Sequence, residues 1–363
     1  MEIKAKRKPR SWTFGLAIWF IVSVLASLPA WGAIYVNRNW NDNSLFEMAN
    51  HTQWHFAVAM ICILVLDRVL RWWHQWRAPL FSRLLHAAIL LTPTVYLCSV
   101  AEPWTALPLA GIVQTNKPKR TLSIASWNVF IQNDQYETIK KTIESLDADV
   151  LLLIEVTPEH RKGLESLSKS YPYSLWAPRN NTQGLAILSR VPGTRSRELV
   201  IGPSQMLALE TRIPAGENID VPISILGVHT ASPNEQGRFR VRDQQLADIA
   251  NWVMQSPGES IVLGDMNITP WSVVFKELLS STGLVDSRRY RGYYATWPCG
   301  LGIVGIPIDH GLVSRGLKII DRECGFPTID SDHQWIRMTI DGTKVDRSPQ
   351  VSLDGNGKSS KDL

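Results

Sequence analysis

The spacing of apolar and polar positions changes character near residue 120. From Trp12 to Val36 the chain runs for 25 residues without a charge, about 37 Å as a helix at ~1.5 Å per residue, longer than the ~30 Å hydrocarbon core of a bilayer. The pattern predicts a spanning helix with a kink at Pro29. A second uncharged run, Met48 to Leu66, begins with the polar residues Asn50, His51, Thr52, Gln53 and His55 but is strongly apolar from Phe56 onward. A third, Leu84 to Ala101, is centred on Pro93. Each is read as a span. As soluble helices they would need a further apolar layer to cover them, and no polar face accompanies them. A cleaved signal peptide fits poorly, because the first run is long and Trp-rich and has no clear small-residue cleavage site.

After Arg120 short β-rich runs alternate with amphipathic stretches and turn signals. Strands are predicted at Leu122–Trp127, Val150–Ile154, Leu185–Leu188, Leu207–Arg212, Ile223–Val228, Ser260–Leu263, Ile308–Val313 and Trp335–Ile340. Helices are predicted near Tyr136–Leu146, Gln236–Met254 and Ser272–Leu279. Strands outnumber helices and some follow one another directly, so a mixed α/β sandwich fits better than a doubly wound parallel sheet. The expected organisation is a membrane anchor over 1–113, a linker over 114–120, a folded domain over 121–341 and a disordered tail over 342–363, rich in Asp, Gly, Ser and Lys.

Charge sharpens that division. Residues 1–120 carry 13 Lys+Arg against 5 Asp+Glu, whereas 121–363 carry 25 against 28. The basic character therefore belongs to the anchor, and the folded domain lacks the positive field of a polyanion binder. Lys4, Lys6, Arg7, Lys8 and Arg10 precede the first span, and Arg68, Arg71, Arg77 and Arg83 follow the second. Positive charge in short loops marks the cytoplasmic side, so three spans would carry the domain after Val113 out of the cytoplasm of a bacterial inner-membrane protein. Lys117, Lys119 and Arg120 oppose this, but long translocated domains cross largely regardless of local charge.

Candidate chemistry recurs where apolar runs stop. Asn128, Glu155, His229, Asp265 with Asn267, and Asp309 each end or open such a run, and Asp332 and His333 precede the last strand. Singly, each has an ordinary structural use as a turn residue, cap or satisfied core imidazole. Together they form a recurring set of buried strand-end polar groups, which is costly unless paired or holding a metal. Glu155 and Asp332 offer hard oxygen ligands for Mg²⁺, Asp265 offers a base for water, and His333 offers a counter-charge for a phosphoryl oxygen.

These residues resemble the endonuclease/exonuclease/phosphatase superfamily, with its deoxyribonuclease I-like fold. The matching segments are Ser-Trp-Asn at 126–128, Leu-Ile-Glu at 153–155, Gly-Leu-Ala-Ile-Leu-Ser-Arg at 184–190, Val-His-Thr-Ala-Ser-Pro at 228–233, Gly-Asp-Met-Asn at 264–267, Thr-Trp-Pro at 296–298, Ile-Asp-His at 308–310 and Ser-Asp-His at 331–333. The resemblance implies a four-layered α/β sandwich with the site at one end of its two sheets. It implies a divalent cofactor, Mg²⁺ or Mn²⁺ in its place, bound by Glu155 with Asn128 and Asp332 beside it. It further implies that Asp265 orients or deprotonates the attacking water, Asn128 and Asn267 hold the phosphate, His333 stabilises the charge of the transition state, and Asp309 orients His333. His229 is then a second imidazole on the phosphate side, whose partner the sequence does not reveal. Arg238 and Arg242 either reach a phosphate or lie on a solvated helix face. Where the family often has an acidic residue two positions past the first Asn, this chain has Phe130.

Rival motifs fail on context. Gly300-Leu-Gly302-Ile-Val-Gly305 has dinucleotide-loop spacing but precedes Pro307 and a strand instead of opening a helix. There is no Gly-x-Ser-x-Gly elbow and no P-loop lysine. Cys62, Cys98, Cys299 and Cys324 lack zinc-site spacing. Outside the cytoplasm the alternatives for Cys299 and Cys324 are a disulfide or two reduced thiols. The expected activity is a membrane-anchored hydrolase of a lipid phosphate or pyrophosphate at the bilayer surface, with a surface nuclease and a non-catalytic membrane sensor as alternatives. The apolar loop from Cys299 to Pro307 is expected at the mouth of the site, either touching lipid or folded back as a small satellite core.

Overall fold

A computed structural model of the chain describes residues 14–38, 50–74, 78–108, 120–217, 219–234, 237–325 and 331–343. The predicted linker apart from Arg120, most of the predicted tail and the first basic cluster fall outside the described residues.

Among the described residues, three α-helices precede the sandwich: α1 (Phe14–Arg38), α2 (Gln53–His74) and α3 (Leu80–Ala101). Contacts between Trp19 and Asp67 and between Ser23 and His86 place the starts of α1 and α3 beside the end of α2, so α2 runs opposite to the other two. Within α1 and α3, Gly15–Tyr35 and Leu80–Ala101 are long and apolar enough to cross a membrane. The second predicted span is displaced. Its helix starts at Gln53 and continues to His74, taking in Asp67, Arg68 and Arg71. The charges at its end are tied inward: Arg71 Nε donates to both oxygens of Asp67 at 2.9 Å, and Trp19 Nε1 donates to Asp67 at 3.0 Å. A buried carboxylate among apolar helices is tolerable only with such partners.

The remaining elements build two six-stranded sheets. In chain order they are β1 (Thr121–Asn128), α4 (Tyr136–Leu146), β2 (Val150–Ile154), α5 (Pro158–Gly163), β3 (Leu175–Ala177), β4 (Leu185–Ser189), β5 (Arg195–Ile201), β6 (Met206–Ile213), β7 (Ile223–His229), α6 (Arg238–Gln255), β8 (Glu259–Asp265), α7 (Val273–Thr282), β9 (Val285–Asp286), β10 (Asp309–Val313), β11 (Lys318–Cys324) and β12 (Ile336–Asp341). The strand orders are β11-β12-β1-β2-β4-β3 and β5-β6-β7-β8-β10-β9. Each sheet is antiparallel except for one central parallel pair, β1 with β2 and β7 with β8.

Burial follows the pleat. Along β1 and β2, Leu122, Ile124, Val150, Leu152 and Ile154 face the other sheet's Leu209, Ile225, Ile261 and Leu263. The alternate residues Ala125, Trp127, Leu151 and Leu153 pack outward against Ile139, Ile143 and Leu146 of α4. On the second sheet Leu226, Val228 and Val262 pack against Leu246 and Ile249 of α6 and Phe275 and Leu278 of α7. Period-two strands meeting period-3.6 helices on both outer faces give helix, sheet, sheet, helix, the four layers expected.

The bundle docks on this sandwich. Trp271, between β8 and α7, joins Ala30, Ala33, Ala57, Met60, Leu90 and Leu97 in one buried cluster. Its Nε1 donates to the Asn50 carbonyl at 2.7 Å, and the Trp54 ring stacks on Tyr293 with centroids 4.8 Å apart. At the rim Tyr290 N–H donates to the Thr105 carbonyl at 2.6 Å, and Lys276 pairs with Glu102 at 3.5 Å.

Candidate active site

The parallel pairs aim four carboxyl ends at one edge of the sandwich, and antiparallel neighbours return their amino ends there. Asn128 closes β1 and pairs with Ile154, so Glu155 follows immediately beside it. In the other sheet the register sets Asp265 directly between His229 of β7 and Asp309 of β10. Ser331 to His333 then lead into β12 at the same end. Ser331 Oγ donates to the Asn128 carbonyl at 2.7 Å, and the His333 carbonyl accepts from Trp127 Nε1 at 3.2 Å. The sheets meet across this edge through side chains.

The local backbone is specialised. Phe130, Glu155 and Asn267 adopt φ of 67°, 63° and 48°, the left-handed region that costs non-glycine residues on the order of 1 kcal/mol each and tends to cluster at functional sites. The turns are secured from within. Phe130 N–H donates to Asn128 Oδ1 at 3.0 Å, Ile131 N–H to Glu155 Oε2 at 3.0 Å, and Asn267 N–H to Asp265 Oδ1 at 2.9 Å. Asn267 Nδ2 also donates to the Thr230 carbonyl at 2.9 Å.

Six expected residues converge. Asn128 Nδ2 lies 3.1 Å from Glu155 Oε1 and 3.4 Å from Asp265 Oδ2. His229 Nε2 is 3.6 Å from Asp265 Oδ2 and 4.0 Å from Glu155 Oε1. Its Nδ1 meets the Thr182 carbonyl at 2.8 Å, so the partner that orients this imidazole is a backbone oxygen. His333 Nδ1 donates to Asp309 Oδ2 at 2.8 Å, and its Nε2 faces Asp265 Oδ2 at 3.7 Å. Asp265, Asp309 and His333 are all buried, with ligand-capable atoms within 4.8 Å of one another.

Burial and crowding set the charges. Burial, reinforced by the Asp309 carboxylate, pushes the Asp265 carboxyl up to about 6. Burial alone would lower His333, but the charges of Asp309 and Asp265 outweigh it and raise the imidazole to about 10. The Asp309 carboxyl is also opposed by burial, yet the His333 cation and its hydrogen bond hold it below the usual carboxylate range. Near neutral pH the cluster therefore pairs a base of modest strength with a fixed cation. The hard oxygens of Glu155 and Asp265, with the Asn128 amide within 3.1 and 3.4 Å of them, suit a divalent cation.

Two expected residues do not join. The exposed Asp332 carboxylate accepts from Trp297 Nε1 at 3.1 Å, and among the described residues its hydrogen bonds do not include Asn128 or Glu155. Its neighbour His333 takes the buried position, and the bend at these two residues leaves Asp332 exposed. Arg242 is completely buried, where Nη1 donates to the Asn267 carbonyl at 3.2 Å and Nη2 binds Asp243 at 2.6 Å. It braces the Asn267 turn and is not the phosphate ligand expected on α6. Arg238 donates to the Ser232 carbonyl at 3.1 Å.

Two supporting residues lay inside matched motifs without being singled out. Thr296 Oγ1 accepts from the backbone N–H groups of Ile308 and Asp309 at 3.1 and 3.2 Å. Ser331 accepts the His333 N–H at 3.0 Å while donating to β1. Ser331 was signalled by a hydroxyl two residues before His333, whereas Thr296 acts on Asp309 from 13 residues away and only its Thr-Trp-Pro motif marked it. Cys299 and Cys324 are free thiols, and Cys324 Sγ donates to Gln334 Oε1 at 3.2 Å, which leaves the disulfide alternative without support. Gly302–Val304 forms a single 3-10 turn, so the glycine-rich stretch opens no α-helix.

Residues 125–333 match the Endonuclease/Exonuclease/phosphatase family. No curated protein matches the chain. Among solved structures, an endonuclease/exonuclease/phosphatase from Beutenbergia cavernae DSM 12333 aligns with a TM-score of 0.50 at 16% identity, over 61% of this chain and 72% of that one. D. rerio TDP2 complexed with single strand DNA product also aligns with a TM-score of 0.50 at 16% identity, over 61% of this chain and 98% of that one. At such identity the likeness is one of fold.

Proposed function

The chain belongs to the endonuclease/exonuclease/phosphatase family of phosphoester hydrolases, and we propose that it is a membrane-anchored, divalent-metal-dependent phosphatase or phosphodiesterase acting on a lipid phosphate or pyrophosphate. The observation that carries this reading is the docking of the apolar bundle, through Trp271 and Tyr293, onto loops that adjoin the catalytic edge. A site held on apolar helices meets amphiphilic substrates at high local concentration. The chain from residue 121 onward carries 25 Lys+Arg against 28 Asp+Glu, a balance that gives no net positive field to draw in a nucleic-acid backbone.

In this reading Glu155, with Asn128 beside it, would hold a Mg²⁺ or Mn²⁺ ion. When bound, such an ion would supply Lewis-acid polarisation of the phosphoryl oxygens and offset charge on the leaving group. Asp265 Oδ2, flanked by His229 and His333, accepts the proton of the attacking water. Asn267 is held by Thr230 and by Asp265, so it presents its side of the site without reorganisation. His333 stays protonated and donates from Nε2 to the oxygen on which charge builds, while Asp309 holds the ring in place through Nδ1. His229 Nε2 supplies a second polar contact on the same side.

The bundle reads as an inner-membrane anchor of a bacterial cell, with its basic ends in the cytoplasm and the catalytic domain outside. A C-terminal alkaline phosphatase fusion, active only when exported, tests the orientation, and activity of a cytoplasm-dependent reporter in its place reverses it. Substrate class is tested with the full chain in lipid nanodiscs, comparing phosphate release from phosphatidic acid and an isoprenyl pyrophosphate with cleavage of single-stranded DNA. Preferential lipid turnover supports the reading, and preferential DNA cleavage replaces it with the nuclease alternative.

A further inference from the structure

From Tyr293 to Ile308 the chain has no charged side chain, and this segment links the catalytic edge to the helix bundle. Trp297 and Ile306 form a backbone bridge, with Trp297 N–H donating at 3.0 Å and Ile306 N–H at 2.6 Å. Beyond that bridge, Ile306 packs beside Trp54 and Tyr293 in the cluster that contains Ala30, Ala33 and Leu97 of the bundle. Trp297 also donates to Asp332, the neighbour of His333. The base of the loop is therefore fixed between the catalytic machinery and the helices.

Its tip is bare. Leu301, Ile303 and Val304 are 53%, 79% and 63% exposed, and Trp297 at the base is 37% exposed. The backbone bridge pins the two stems and the 3-10 turn Gly302–Val304 projects between them, so these side chains do not fold back as a satellite core. Gly302, at φ 52°, has open space where a Cβ would stand. Three large apolar side chains on one turn in water forgo the roughly 25 cal/mol per Å² that burial would return. The bundle to which the loop is fastened also carries apolar side chains outward, among them Leu28, Tyr35 and Val95.

We propose that the Cys299–Gly305 loop is a bilayer-docking element. Leu301, Ile303 and Val304 enter the lipid interface next to the bundle, Trp297 lies at head-group level, and the catalytic edge is held where it receives a phosphoester still seated in the bilayer. The inference rests on the reading of the bundle as a membrane anchor. An anchor alone leaves the domain free to tilt, whereas a second contact beside the site fixes its approach to the surface. A lipid surface suits the loop because it is uncharged, glycine-flexed and continuous with the segment that packs on the bundle.

The test uses the full chain reconstituted in phosphatidylethanolamine and phosphatidylglycerol vesicles containing a phospholipid with a photoreactive acyl chain, with adducts mapped by mass spectrometry. Adducts are expected on the Leu301–Val304 peptide as well as on α1 and α3. In I303S/V304S the loop adducts are expected to fall about tenfold or more while helix adducts persist, and a retained melting temperature shows that the fold survives. The same variant is expected to lose about tenfold in turnover of vesicle phosphatidic acid relative to its turnover of bis(p-nitrophenyl) phosphate. Adducts on the helices with none on the loop overturn the inference and leave the anchor intact. Adducts on neither overturn both. Equal loss on both substrates identifies a packing role and overturns the docking element.

Discussion

His333 Nδ1 donates to Asp309 Oδ2 across 2.8 Å, and this bond joins a residue leading into one sheet to the first residue of a strand in the other. It fixes the ring so that Nε2 faces Asp265, and the charges of Asp309 and Asp265 together raise the imidazole to about 10 against the effect of burial. Asp309 therefore acts through His333 as a positioning residue.

Replacing Asp309 with Asn is expected to lower kcat by about 10²-fold or more, since both the ring orientation and its charge are disturbed. The pH profile gives the specific readout. A His333 that works as a cation is active below its own pKa and inactive above it. Removing the carboxylate that raises that pKa moves the alkaline limb from about pH 10 toward lower pH. A pH–rate profile of D309N with an unshifted alkaline limb rules out this coupling.

Gly264 precedes Asp265 at φ 143°, and a Cβ there would lie 2.0 Å from the Val228 carbonyl of the parallel partner strand. That neighbour is backbone and cannot swing aside. Gly264→Ala is expected to destabilise the domain by about 3 kcal/mol or more, or to prevent folding. Gly216→Ala, where nothing stands within 4 Å, is expected to stay within about 0.5 kcal/mol. Thermal unfolding of the full chain in detergent checks the pair, and equal melting temperatures would contradict the clash.

The eight strands read from apolar pattern are the interior strands of both sheets, and the four that escaped, β3, β5, β9 and β11, are the four edges. β5 and β11 carry Arg195, Arg197, Glu198, Lys318, Asp321 and Glu323, the charged signature that keeps edges from pairing and erases an alternating apolar pattern. β3 and β9 have only three and two residues, too short to show a period. Site residues were legible because each terminates an apolar run. Facing was not: Asp332 and His333 are adjacent in sequence, and only the path into β12 decides that the histidine points inward. Nor could sequence distinguish a phosphate-binding arginine on α6 from Arg242, whose partner carbonyl at Asn267 comes from a turn 25 residues away.

His310, next to Asp309, is buried against Phe275 and bonds the Ile268 carbonyl through Nε2 at 2.8 Å. Burial lowers its pKa from 6.5 to about 4. As pH falls from about 6.5 to about 4, the unfolded chain takes up a proton at this position that the folded chain refuses, so folded-state stability falls across that window. The full difference is about 3 kcal/mol. His310→Gln keeps a donor in place and is expected to flatten this part of the stability–pH curve, measured as melting temperature from pH 7 to pH 4. An unchanged slope would show that His310 titrates alike in both states.

Phosphate release from phosphatidic acid by the full chain in nanodiscs, measured with Mg²⁺ and with excess chelator, tests the hydrolase reading most directly. Hydrolysis is expected only with the divalent ion, and Glu155→Gln, Asp265→Asn and His333→Ala are each expected to lose about 10²- to 10⁴-fold while retaining their melting transitions. Full activity in chelator, or undiminished turnover by Glu155→Gln, would contradict the metal-dependent site built around Glu155 and Asp265.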